Sequence, residues 1–448
     1  MTKKAEILQQ LQNQGDRKVK VALCDIDGIL RGKIIHTDKF LEAAQSSLGF
    51  CDVVFGWDAQ DLSYDRVNYT GWHTGYPDAP LYLDLETYRR QPWDGDIPFF
   101  LGDLQNPEIC PRSLLRKICQ NCKDMGFGTR FSQEFEWFNF ENTPQDLEKS
   151  NFQSLKPITP GMFGYSMLRP TLKQDFFNVL FDQLENFDVQ LEGLHTETGP
   201  GVYEAAIRYD EVLNAADKAV LFKNSVKEIA YSHGILASFM AKWNTRLPGC
   251  GGHIHQSLWN IGFTQNLFYD ENKPFQMSDL FQNYAAGLLH CLPHILPMYA
   301  PTVNSYKRLT EGAWAPTTQT WGIDNRTTAI RVLNNKESSC RTEMRVAGAD
   351  TNPYLAMAAC LASGLYGIRH KLALDLPPTQ GNGYQEIGLG RLAPNLGEAA
   401  QFMQNSEIAQ ELFGEAFVDH FTQTRFWEWR QFLQQVTDWE LKRYLEII

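Results

Sequence analysis

The 448-residue chain lacks any excess of positive charge: 41 Lys and Arg against 53 Asp and Glu leave a formal charge of −12. Nucleic-acid binding draws most of its affinity from Lys and Arg on phosphates, so this deficit argues against a polyanion and toward small molecules or proteins as partners. No stretch reaches the ~18 unbroken apolar residues of a membrane helix, and the start MTKKAEILQQLQNQ lacks the apolar core of a signal peptide. The expected location is therefore the cytoplasm. Nine cysteines, an odd number at irregular spacing, make no disulfide framework and suit a reduced compartment. Cys119 and Cys122 form a CxxC, but it stands alone on a helix-like stretch, which weighs against a zinc or redox role. A GxxxxGK-S/T sequence is also absent, so any ATP site here is not a P-loop.

What is present is an ordinary folded composition, 43% apolar, 21% charged and 12% aromatic, at a length that suggests two or more domains. After a short N-terminal helix, KVKVALCDIDGILRGKII reads as two strands with a turn near Asp27–Gly28. A loop-rich, aromatic stretch follows, from FGWDAQ to IPFFLGDL. A helix entered through Pro and Ser begins within NPEICPRSLLRKICQNCKDMGF, and the domain boundary is placed close to residue 108, dividing the chain into 1–107 and 108–448. Beyond it, strands are expected at 129–140, 189–197, 202–209, 251–258, 326–333 and 341–347, and helices at 174–186, 214–233, 278–299, 352–371 and 396–405.

Chemistry first shows in QEFEWFNF, residues 133–140. On a strand, Phe135 and Trp137 point one way while Glu134 and Glu136 share the other face. Two carboxylates that close need solvent or a counter-ion. Later strands repeat the pattern. His195 and Glu197 share a face, a Gly-Pro-Gly turn at 199–201 interrupts, and Glu204 resumes; His253, His255 and Ser257 lie together, as do Arg341, Glu343 and Arg345. Any one of these fits a solvated strand face, but five glutamates and a histidine in apolar strand settings make a set. Glu134, Glu136, Glu197, Glu204, Glu343 and His253 give three protein ligands to each of two divalent ions, and hard oxygens with one imidazole suit magnesium or manganese. Arg308, Arg326, Arg331, Arg341 and Arg345 gather in the last third, and carboxylate-held metals facing guanidinium groups are what phosphoryl transfer needs.

The segments QEFEW, HTETGPGVYE, GCGGHIHQSLW, NSYKRL, IDNRTTAIRV and RTEMRVAGADTNPYLA, in this order, resemble the glutamine synthetase family over roughly residues 15–445. The resemblance implies an α+β fold: a small N-terminal β-grasp-like domain, and a larger catalytic domain built on a curved antiparallel sheet with flanking helices. It implies a ring homo-oligomer, often two stacked hexamers, with active sites between adjacent subunits. It also implies a two-step reaction with ATP and Mg2+ or Mn2+, in which the γ-carboxylate of glutamate is phosphorylated and a nitrogen nucleophile displaces phosphate. By motif, Glu136, Glu197 and Glu204 would hold one metal, and Glu134, His253 and Glu343 the second. His255 and Ser257 would contact ATP, with Lys242 and Arg341 in the nucleotide region. Gly249, Arg308 and Arg345 would face glutamate, and Arg326 and Arg331 the transferring phosphoryl group.

Three departures redirect the expected substrate. Where the family's ammonia-using members carry a flap glutamate, the loop TEGAWAP carries Trp314, with Glu311 three residues earlier. Where they carry an Asp-Gly-Ser-Ser ammonium pocket, this chain has FGWDAQD, offering Asp58 or Asp61. Pro248 replaces an asparagine before Gly249. Indole cannot accept a proton and is large and apolar. Trp314, with Trp57 or Tyr64 as aromatic neighbours, is thus expected to wall a site for an alkyl or aromatic primary amine. Asp58 is the candidate to face that amine. The expected activity is a glutamate–amine ligase giving a γ-glutamylamide; the alternatives are glutamine synthesis from ammonia and γ-glutamylation of a polyamine, whose extra positive charge would call for further carboxylates.

Overall fold

A computed structural model of the protein describes residues 3–104 and 108–448. After the helix Lys3–Gln14, the chain builds a five-stranded sheet from β1 (Lys18–Cys24), β2 (Leu30–His36), β3 (Leu48–Cys51), β4 (Asp78–Gln91) and β5 (Ile97–Leu104). Its spatial order is β2-β1-β5-β4-β3, with β1 and β5 parallel and the other pairs antiparallel. The expected β1–β2 hairpin turns at Gly28, whose φ of 83° suits glycine, while Asp25 accepts the Asp27 and Ile29 N–H groups. Alternate residues of β1 serve two cores. Val19, Val21 and Leu23 pack with Leu11, Phe40 and Phe100, whereas Ala22 and Cys24 join the main core of the molecule.

The stretch expected to be loop-rich contains both β4 and β5. A bulge between Asp84 and Arg89 breaks the period-2 pattern of β4, and β5 is buried on both faces, so neither strand shows clean alternation. The expected boundary at 107/108 abuts residues 105–107, which lie outside the described residues.

The second sheet has eight strands: β6 (Phe127–Phe140), β7 (Leu191–Thr196), β8 (Val202–Ile207), β9 (Leu236–Ser238), β10 (Gly252–Asn260), β11 (Trp321–Ile323), β12 (Ile330–Leu333) and β13 (Arg341–Met344). They run β11-β12-β13-β10-β6-β8-β7, with β9 on the end of β6; every pair is antiparallel except β11 with β12. One face is packed by helices. Phe135 and Trp137, both 0% exposed, meet Phe222 of the helix Val212–Ser232 at ring distances of 5.7 and 5.6 Å. The opposite face is polar and open.

Two ion networks fix one sheet against the other. Arg112, 2% exposed, reaches Asp217 at 2.7 Å and both Asp84 and Asp103 at 2.9 Å, joining β4 and β5 to the helix Val212–Ser232. Arg425, on the helix Glu415–Leu433, bonds Asp27 and the Pro301 carbonyl. The helix expected over 278–299 stops at Cys291, where Pro293 and Pro297 break it into two 3-10 turns. The strand expected over 326–333 is confined to β12, leaving Arg326 in the preceding turn. The helices Glu407–Phe413, Glu415–Leu433 and Asp438–Tyr444 were not anticipated.

Candidate active site

Strand register assembles the polar face. Glu134 of β6 stands opposite His253 of β10, and His255 opposite Glu343 of β13, which itself faces Arg331 of β12. On the other flank Glu136 faces Glu204 of β8, and Glu204 faces His195 of β7. Directly opposed residues project to the same side of a sheet, so six strands pour charge onto one surface. On that surface lies a cavity of ≈ 530 Å³, lined by Glu134, Glu136, Glu204, His253, His255 and Arg331 of this set and also by Glu197, Arg308, Trp314, Arg326, Arg341 and Arg345.

Glycines let β10 enter this crowd. A Cβ on Gly249 would lie 2.4 Å from the Ala241 carbonyl oxygen and 2.9 Å from Arg308 Cγ. One on Gly251 would lie 2.5 Å from His253 Nε2 and 3.0 Å from Glu136 Oε1. The backbone is thus pressed against the side chains it presents, and the Gly251 carbonyl accepts the Glu136 N–H at 3.0 Å.

The hydrogen bonds fix both imidazoles. Arg341 Nε donates to His255 Nδ1 at 3.1 Å, so the His255 proton sits on Nε2 and points to Glu134, 3.3 Å away. Arg308 Nη2 lies 3.3 Å from His253 Nε2 and can only donate, which puts that proton on Nδ1, 3.5 Å from Glu343. Glu343 also accepts from Arg331 at 2.9 Å and from Arg345. Arg308 itself is 3% exposed and is held by the Val346 and Arg345 carbonyls at 2.9 and 3.2 Å.

Electrostatics divide the cavity into two halves. Burial alone would raise the Glu343 carboxyl, but Arg345 and the two histidines outweigh it and hold the group down at about 2. Glu134 is likewise drawn below the usual range, its burial overcome by His255. In the other half burial, reinforced by neighbouring carboxylates, wins. Glu136 is pushed up to about 7, and Glu204, facing Glu134, Glu136 and Glu197, to about 11. Carboxylates crowded into low dielectric bind protons unless cations take their place.

Five of the six side chains expected to ligate metal, Glu134, Glu136, Glu197, Glu204 and His253, therefore line one cavity, and the sixth, Glu343, is buried behind it against Arg331 and Arg345. As the side chains stand, no three His, Cys, Asp or Glu among the described residues close on a common point; the donors pair with arginine, histidine or one another. The donor chemistry nevertheless fits hard divalent cations, because the crowded, proton-binding half holds oxygen ligands only. The expected substrate and phosphoryl residues Gly249, Arg308, Arg345, Arg326 and Arg331 line the same cavity, as do His255, Arg341 and Trp314.

Six of the residues singled out find a different placement. Lys242 does not line the cavity; its backbone exchanges bonds with the Asn304 side chain and its ammonium feels Arg308, which puts it by the arginine end and not beside His255. Ser257 is buried and its hydroxyl accepts from Trp259 Nε1 at 3.0 Å, two residues down β10 from the cavity's last histidine. Asp58 caps its own turn through the Gln60 and Leu62 N–H groups and accepts from Trp427 Nε1 at 2.8 Å. Trp57 and Tyr64 are equally remote, Tyr64 stacking edge-on to Trp427 and Trp57 lying under Arg31. Glu311 turns outward to Arg391 at 3.1 Å.

Tyr165 and Thr198 were missed. Tyr165, at φ 54°, stacks on His195 at 4.6 Å and lines the cavity from the 159–167 loop, which carries no strand or helix period that would flag it. Cys119 and Cys122 have thiols pushed up to about 12 by burial, which makes them unreactive.

The model of the glutamine synthetase catalytic domain matches residues 108–444. A Type-1 glutamine synthetase 2 of Dictyostelium discoideum is 50% identical over 99% of this chain and 86% of its own length. A glutamate–isopropylamine ligase of a Pseudomonas species is 38% identical over 96% of this chain and 95% of its own. The solved structure of a GmaS/ADP complex superposes with a TM-score of 0.84 at 24% identity, covering 98% of this chain and 99% of that one, and shows the same fold with its curled sheet and flanking helices.

Proposed function

Because this chain belongs to the glutamine synthetase family, whose ligases use ATP and Mg2+ or Mn2+, we propose that it joins the γ-carboxylate of glutamate to a small primary amine other than ammonia. The carrying observation is the uncharged part of the cavity lining. Trp314, Tyr165, Ala313 and Pro248 stand there, while Glu311, the nearest carboxylate in the loop, is paired outside with Arg391. Ammonium wants a small acidic cage; this wall accommodates an alkyl or aryl group.

In this reading Arg308 and Arg345 orient the carboxylates of glutamate, anchored by backbone carbonyls so that their forks are preset. Arg326 and Arg331 bear on the phosphoryl group as it leaves ADP for the γ-carboxylate oxygen, forming one P–O bond and breaking another. The amine nitrogen then attacks the acyl carbon, the C–N bond forms, inorganic phosphate leaves and the nitrogen gives up a proton. Glu136, Glu197 and Glu204, and Glu134, His253 and Glu343, would hold two divalent metal ions, which would supply positive charge against the phosphate oxygens. The lining carboxylates are then committed to cations, leaving none for the second ammonium of a polyamine.

We take residues 1–107 and 108–448 as N-terminal and catalytic domains, and the chain as a ring homo-oligomer, a dodecamer, in the cytoplasm. Asp58 belongs to the reaction only if it faces the cavity of a second copy. Nine free cysteines support the location, and no helix among the described residues is long and apolar enough to cross a membrane. One observation favours ammonia instead: the 50% identity to a glutamine synthetase. Glutamate-dependent phosphate release from ATP, measured across ammonia, ethylamine, isopropylamine, aniline and putrescine, separates the readings. An organic monoamine ahead by more than ~10-fold in kcat/KM, about 1.4 kcal/mol, supports the proposal; ammonia ahead refutes it.

A further inference from the structure

A second pocket, of ≈ 350 Å³, lies where the β1–β2 turn meets the helix Val212–Ser232 and the segment 236–240. It shares no residue with the catalytic cavity. Two lysines one helical turn apart, Lys223 and Lys227, line it, and neither has an ion-pair partner among the described residues. Lys223 is 8% exposed, donates one bond to the Thr351 carbonyl at 2.8 Å, and sits 5.7 and 5.8 Å from the Phe135 and Phe239 rings. Lys227 lies 5.9 Å from the same Phe239 ring.

Each carboxylate that lines the pocket has partners of its own, and neither forms an ion pair with the two lysines. Asp27 is held by Arg425 and by Tyr64 Oη at 3.3 Å, and Asp350 accepts from Thr302 and Ser305 at 2.8 and 2.5 Å. Burial, then the charge of Lys227, draws Lys223 down to about 7. Two ammonium groups facing an opening with no ion-pair partner, Asp350 acting on Lys223 only at longer range, are stabilised by an anion from outside. Its character follows from the rest of the lining. Ile29, Leu30, Val220, Leu236 and Phe239 offer an apolar wall, and the two aspartates disfavour a second negative charge.

We propose that this pocket binds a small organic monocarboxylate, its carboxylate between Lys223 and Lys227 and its apolar body against Leu236 and Phe239. The ligand would bridge the β1–β2 turn to the main body. It would also touch the Asp350 frame that holds the start of the helix Ser305–Arg308, and so lie one shell from a cavity arginine.

The test is calorimetric and thermal titration of the full-length protein with isobutyrate and benzoate as probes, and with inorganic phosphate and glutamate alongside. Wild-type protein is expected to bind the monocarboxylates saturably and melt at a higher temperature in their presence. Lys227→Met, at an exposed position, should weaken binding by more than 10-fold while leaving glutamate-dependent turnover unchanged, and Lys223→Met should do the same if it folds. Absence of monocarboxylate binding, binding indifferent to Lys227→Met, or phosphate binding as tightly as the carboxylates would each overturn the assignment. Loss of glutamate-dependent turnover in wild-type protein would count against the catalytic reading instead, without touching this one.

Discussion

Replacing Gly251 with alanine should damage the site more than the fold. The added Cβ would lie 2.5 Å from His253 Nε2, and ordinary contact begins at 3.4 Å, so something must move by about 0.9 Å. A surface histidine would swing aside, but His253 is 4% exposed and held on both nitrogens, by Arg308 and Glu343. The same Cβ presses Glu136 Oε1 at 3.0 Å. Displacing a positioned group by ~1 Å costs on the order of 10²-fold in rate, about 2.7 kcal/mol, and breaking the buried Arg308–His253 bond adds roughly 1–3 kcal/mol of instability. The assay is glutamate-dependent phosphate release titrated with Mn2+, beside a thermal melt. A variant that folds, needs more Mn2+ and turns over ~100-fold more slowly is expected. Full activity at the wild-type Mn2+ requirement would show that His253 and Glu136 do not work where the register puts them.

Other outcomes follow from the same geometry. Trp314→Ala should lower kcat/KM for isopropylamine about 8-fold relative to ammonia, since half-covering three carbons at ~0.8 kcal/mol each is worth ~1.2 kcal/mol; an unchanged amine preference in the panel removes Trp314 from the wall. Mn2+ added to metal-free protein at pH 7 in weak buffer should release protons, because Glu136 and Glu204 carry them when no cation is present, and Glu204→Gln should reduce the count; no proton release contradicts the cation reading. His420, 2% exposed, is pulled by burial to about 4, against ~6.5 unfolded. The unfolded chain therefore takes up the proton first as pH falls. Stability is complete above pH ~6.5 and declines by up to ~3 kcal/mol on the way to pH 4, and His420→Leu should flatten that slope in melts across this range.

The site was legible where period-2 alternation is strong. Glu134, Glu136, His253, Glu204 and Glu343 could be picked out because each interrupts a run of buried bulk, and the strands carrying them pair as neighbours. Their partners in space were not legible, since the sequence separation of Glu134 from Glu343 says nothing of register. Tyr165 escaped because a loop residue at positive φ obeys no period. Strands β4 and β5 escaped for the opposite reason, one broken by a bulge and the other buried on both faces. Lys242 and Asp58 were placed by likeness to motifs, and the Lys242 backbone anchors to Asn304 while the Asp58 carboxylate accepts from Trp427, away from the cavity of their own chain.

The central claim is that an organic amine, not ammonia, is the nitrogen donor. The most direct measurement is a single competition: purified protein with ATP, glutamate, Mg2+ and equal concentrations of ammonia and isopropylamine, the products weighed by mass spectrometry. The product ratio is the ratio of the two kcat/KM values. The account predicts γ-glutamylisopropylamide in at least ~10-fold excess over glutamine, about 1.4 kcal/mol of discrimination. Glutamine in excess would contradict it and return the chain to ammonia assimilation.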